Sequence, residues 1–78
     1  MAEDLKLTCI EIELDLGFGY AQMAQTAYFV GRTDKGDAAL QTAWNAWERA
    51  ASLILKHEIE ALRPRVLELE ALLRGIGG

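Results

Sequence analysis

A short polar run, Gly31-Arg32-Thr33-Asp34-Lys35-Gly36, is the one convincing turn in this chain, and the segments on either side of it are long and apolar-striped. Gly31 stands where a helix C-terminal glycine belongs, and Thr33 or Asp34 can accept hydrogen bonds from the free amides of a following helix. A chain that folds back across such a turn makes a hairpin of two long elements. What those elements are made of decides the fold class.

Before the turn, two periodicities compete. Ile10, Ile12, Leu14, Leu16, Phe18 and Tyr20 alternate with Glu11, Glu13, Asp15, Gly17 and Gly19, as in a half-buried strand. Leu5, Cys9, Ile12, Leu16, Tyr20, Met23, Ala27 and Val30 follow three-four spacing over a longer span, as on one face of a helix. The helix is favoured, because a lone strand has no second strand to pair with. On this reading the longer series is the core stripe and Cys9 is buried in it. Gly17 and Gly19 each cost about 1 kcal/mol in a helix interior, and a small-residue row of Gly17, Ala21 and Ala24 offsets this by letting a partner helix approach.

After the turn, the residues from about 37 to 62 are rich in helix formers. An alanine row (Ala39, Ala43, Ala46, Ala50) lies beside a bulkier one (Leu40, Trp44, Trp47, Ala51, Ile54, Leu55). Pro64 kinks or breaks this helix. The seam Ile59, Leu62, Val66, Leu69, Leu73, Ile76 nonetheless keeps its spacing across the proline. Gly75, Gly77 and Gly78 end the last helix, and Glu70 and Arg74 form an i,i+4 pair.

The expected fold is therefore all-α. Helices over about 4–30 and 37–62 form a long antiparallel hairpin about a turn at 31–36, with a kinked or separate C-terminal helix over about 64–74. Facing residues of the hairpin have numbers adding to roughly 67, as in antiparallel pairing about the turn, which brings Glu11 toward Lys56 and Asp4 toward Arg63.

At 78 residues, folding buries only ~60% of the unfolded surface. One cysteine excludes an intramolecular disulfide and no zinc-finger spacing is present, so oligomerisation is the expected supplement. The chain is expected to pair with itself as a homodimer or higher bundle through Trp44, Trp47, Leu55, Leu62, Val66, Leu69 and Leu73. Another protein is a second possible partner class. The net charge of −4 and the scattered basic residues exclude a phosphate-tracking surface, so no nucleic acid is expected. The uncharged run from Leu16 to Gly31 is too short and too polar for a membrane span. An acidic start and a free thiol point to the cytoplasm.

Chemistry has little support. A metal or acid–base site would draw on His57 with Glu58, Glu60, Glu11, Glu13 and Asp15, but the Glu-x-x-His pair of di-metal bundles is missing, since Ile54 precedes His57 by three. No nucleophile shares a recognisable motif with His57. Gly17-Phe18-Gly19-Tyr20-Ala21-Gln22 lacks the third glycine of a dinucleotide fingerprint. No catalytic residue, metal or cofactor is expected, and the function read from the residues is that of a non-catalytic interaction or adaptor module.

Leu16-Gly17-x-x-Tyr20 resembles the first-helix signature of tetratricopeptide repeats, and Ala43-x-x-x-Trp47-x-x-Ala50 resembles their second-helix signature. The resemblance implies a peptide-binding groove on an open monomer. Extra residues between the two halves, a single copy and a displaced proline depart from that pattern.

Overall fold

The computed structural model describes residues 2–77, with side chains from Leu5 to Gly77. All its regular elements are helical: α1 (Ala2–Phe29), α2 (Thr33–His57), a 3-10 turn (Glu60–Leu62) and α3 (Arg63–Gly77). At 1.5 Å per residue, α1 is about 42 Å long and α3 about 22 Å, and the molecule measures 45 × 19 × 13 Å.

The turn forms as its chemistry dictates. Gly31 adopts φ 81°, the left-handed conformation that glycine enters without a Cβ penalty. The Arg32 amide reaches back to the Ala27 carbonyl at 2.7 Å and the Gly31 amide to Tyr28 at 3.1 Å, closing the carbonyls that α1 leaves open. One expectation needs correcting: Arg32, not Thr33 or Asp34, is the N-cap of α2, and it makes no side-chain cap bond. The connection is thus three residues rather than six. Across the hairpin Tyr28 Oη donates to Asp37 at 2.5 Å and Arg49 pairs with Glu13 at 2.7 Å. Glu13 and Asp15, not Glu11, carry the ion pairs from α1 to the other helices. The Asp4 side chain lies outside the described residues, and Arg63 pairs with Glu60.

Small residues hold the hairpin together. Ala21 and Ala24 of α1 and Ala39, Ala43, Ala46 and Ala50 of α2 are all buried, and rows without bulk let two backbones approach closely enough for dispersion along their length. The third helix fills the groove this leaves. It runs from the open end of the hairpin back toward the turn, with Arg65 beside Asp15 and Phe18, Leu69 on Gly17, and Gly77 near Leu40. Val66, Leu69 and Leu73 join Ile10, Leu14 and Ile54 in the core.

The break after α2 precedes the proline. Glu58 takes a left-handed conformation (φ 54°, ψ 42°) and its amide closes on the Ile54 carbonyl, with the Ile59 amide bonding the same oxygen at 3.1 Å. Helix α2 therefore ends at His57, not near 62. Pro64 sits in the first turn of α3, where its missing N–H leaves nothing unsatisfied.

The face of α1 turned to the core is the other one. Ile10, Leu14, Gly17, Ala21 and Ala24 are buried, whereas Leu5, Ile12, Leu16, Met23 and Val30 are 43–66% exposed. Cys9 is exposed too. The reason is steric: α2 and α3 pack where the small residues allow close approach, and that row lies on the Ile10–Ala24 side.

Candidate interaction surfaces

Helix α1 carries two seams of coiled-coil spacing. The inner one is Leu7, Ile10, Leu14, Gly17, Ala21, Ala24, Tyr28, and adding two to each number gives the outer one: Cys9, Ile12, Leu16, Gly19, Met23, Thr26, Val30, with Leu5 one step before. Residues two apart project about 160° from each other around an α-helix, so the seams lie on nearly opposite sides. Only the inner seam has a partner within the chain. The outer one runs from Leu5 to Val30, and toward the turn it borders a shallow groove lined by Gly19, Met23, Ala27 and Val30 with Arg32 and Lys35 at its end.

A second, smaller apolar surface lies between α2 and α3. Leu55 (71% exposed) and Leu67 (58%) flank a cleft lined also by Trp47, Ala51, Ile54 and Val66. Trp47 is half-buried, donates from Nε1 to the Val66 carbonyl at 3.2 Å, and meets Trp44 edge to face at 5.4 Å between centroids. The hydrogen bond to Val66 ties α2 to α3, and the ring contact holds Trp47 in place from within α2.

The seven residues expected to make the contact between copies are divided by this arrangement. Val66, Leu69 and Leu73 are buried by the chain's own hairpin and have no surface left for a partner. Trp44, Trp47 and Leu62 are half-buried against the same core, and Leu55 alone is prominently exposed. The leucine row after Pro64 that suggested self-association is satisfied internally by α3 folding into the groove. Conversely, the stripe Leu5, Ile12, Leu16, Met23, Val30, which the spacing identifies but assigns to the core, is the one left open.

His57 lines a shallow cleft with Lys6, Leu7, Ile59, Glu60 and Ala61. No group of three or more His, Cys, Asp or Glu side chains comes together among the described residues. Glu13 and Asp15 are engaged with Arg49 and Arg65. Helix α3 packs against the hairpin through Val66, Leu69 and Leu73. No described helix is long and apolar enough to cross a membrane.

The titration of one tyrosine is perturbed. The Tyr28 ring lies against Gly36, where a Cβ would come within 2.6 Å of it. Its hydroxyl donates to the Asp37 carboxylate, and this bond, reinforced by desolvation and the Asp37 charge, raises its pKa above 10.0. The pair braces the turn between α1 and α2.

No protein-family model matches the chain, and no curated protein or solved structure is significantly similar to it.

Proposed function

We propose that this chain is a non-catalytic, self-associating helical module of the cytoplasm, and that its contact with a second copy is made by the outer face of α1. One observation carries the reading: a helix already packed on one side displays a second apolar seam along nearly its whole length. Five large side chains on that seam are half-exposed or more, or close to it. Taking on the order of 200 Å² for a fully exposed large apolar residue, they leave roughly 560 Å² of mostly apolar surface in water before flanking residues are counted, against the ~800 Å² per partner of a standard stable interface. Apolar surface of that extent on one face of a chain this small lies in the range of the largest, often functional, patches of monomeric proteins. The exposed, unpaired Cys9 suits a reducing compartment.

Sedimentation velocity between about 1 and 100 µM, the range in which modest homodimers exchange with monomers, tests this. The reading predicts a concentration-dependent rise toward twice the 8.6 kDa chain mass. A single 8.6 kDa species at every concentration would refute it.

A further inference from the structure

We infer that two copies pair through α1 in antiparallel fashion, with the outer seams in the register where facing residue numbers add to 35. This rests on the self-association proposed above and assigns the partner (a second copy), the contact residues and their orientation.

Three features of the chain fix the arrangement. The seam is complementary to its own reverse: in this register Leu5 faces Val30, Cys9 faces Thr26, Ile12 faces Met23 and Leu16 faces Gly19 of the second copy. Every seam position finds another seam position, as alternating a and d layers of an antiparallel coiled coil require, and the bulk of Leu16 lies over the one position without a side chain. A Cβ at Gly19 would meet nothing within 4 Å in the chain, so the space above it is open to that leucine. A parallel pairing instead stacks Gly19 on Gly19 and leaves a gap at mid-helix.

Charge gives the same orientation. Glu13 and Asp15 are turned to Arg49 and Arg65 of the same chain, whereas Glu11 is exposed, and residues 16–31 carry no charge. Parallel helices in register would set Glu11 beside its own copy, and like charges in register are destabilising. Antiparallel helices place it beside the uncharged half instead. The contact extends over residues 5–30, about 38 Å of helix, and the five side chains of both copies together offer roughly 1,100 Å², at the low end of specific interfaces, as suits a modest dimer.

The native thiol makes the geometry testable by cross-linking. In this register the two Cys9 residues are seventeen positions apart along the paired helices, about 25 Å, far beyond the 4.4–6.8 Å Cα separation of a disulfide. Thr26→Cys places a second thiol opposite Cys9. Under mild oxidation at a concentration where the protein sediments as a dimer, Thr26→Cys is expected to form covalent dimers on a non-reducing gel at least roughly tenfold faster than the wild type, because the paired thiols are held at high effective concentration. The Cys9→Ser/Thr26→Cys variant is expected to behave as the wild type does. Wild-type chains cross-linking as fast as Thr26→Cys would show a parallel pair and overturn the inference. A dimer in which no variant cross-links would place the contact on another face, which also overturns it while leaving self-association intact. A wild type that sediments as a monomer throughout would remove both proposals.

Discussion

Replacing Gly17 and Gly19 by alanine, one at a time, separates the two sides of α1 with a single chemical change made two residues apart. In an isolated helix each replacement is favourable by about 1 kcal/mol. Gly19 is exposed and a new Cβ meets nothing within 4 Å in the chain, so at a protein concentration low enough to keep the chain monomeric that gain is realised, about 0.5–1 kcal/mol. At Gly17 the new Cβ falls 2.5 Å from Leu69 Cδ2 and 3.5 Å from its Cδ1. Leu69 has no exposed surface, so its tip has no solvent to swing into, and accommodating the extra methyl costs about 1–3 kcal/mol. The net effect at Gly17 is a loss of up to about 2 kcal/mol. With 4–8 °C of melting temperature per kcal/mol in a domain of this size, the two variants separate by about 2–24 °C, Gly19→Ala above wild type and Gly17→Ala at or below it. Thermal unfolding followed by circular dichroism at one fixed protein concentration reads both. A double-mutant cycle sharpens the argument: Leu69→Ala alone costs about 2–5 kcal/mol as a fully buried leucine, and less in the Gly17→Ala background, where the added methyl occupies part of the cavity. Equal stabilisation by both alanines, or additivity in the cycle within about 0.5 kcal/mol, would mean that α3 does not pack on α1 at this point.

Glu58→Gly should stabilise the fold by about 0.5–1 kcal/mol, since Glu58 is held at φ 54° where glycine carries no Cβ penalty; urea unfolding reads the shift, and destabilisation would argue against a left-handed cap there. The Tyr28 hydroxyl, with a pKa above 10.0 in the fold, retains its proton longer folded than unfolded. Its contribution is therefore complete below pH 10 and is lost as pH rises through the folded pKa. Unfolding of wild type and Tyr28→Phe across that range should converge at the alkaline end, and parallel curves would contradict the Tyr28–Asp37 bond.

Much of the architecture is legible in the residues, and what is not has physical causes. The turn is readable because Gly31 is required by a conformation few other residues adopt. The break between α2 and α3 is hidden, because Glu58 occupies a left-handed cap that sequence signals reserve for glycine or asparagine, while Pro64 draws the eye six residues too late. The strand-like alternation Ile10, Ile12, Leu14, Leu16 is the trace of two seams offset by two positions: a helix apolar on opposite sides alternates locally as a strand does. Choosing the core seam by side-chain bulk selects Leu5, Ile12, Leu16, Met23 and Val30. The close approach of α2 and α3 is instead set by the small residues Gly17, Ala21 and Ala24. The same inversion explains the contact residues, for Val66, Leu69 and Leu73 read as surplus only while α3 is taken to lie outside the hairpin groove.

The central claim, that α1 is apolar toward its own core on one side and toward a second copy on the other, is tested most directly by lysine at two neighbouring seam positions. Circular dichroism and sedimentation of Leu14→Lys and Leu16→Lys, each prepared at a concentration where the wild type is dimeric, give the comparison. Leu14 is fully buried, and an unpaired charge there should abolish the cooperative fold; Leu16 is 43% exposed, and its variant should keep wild-type helicity while sedimenting at 8.6 kDa. A Leu16→Lys chain that unfolds, or that remains dimeric, would contradict the account.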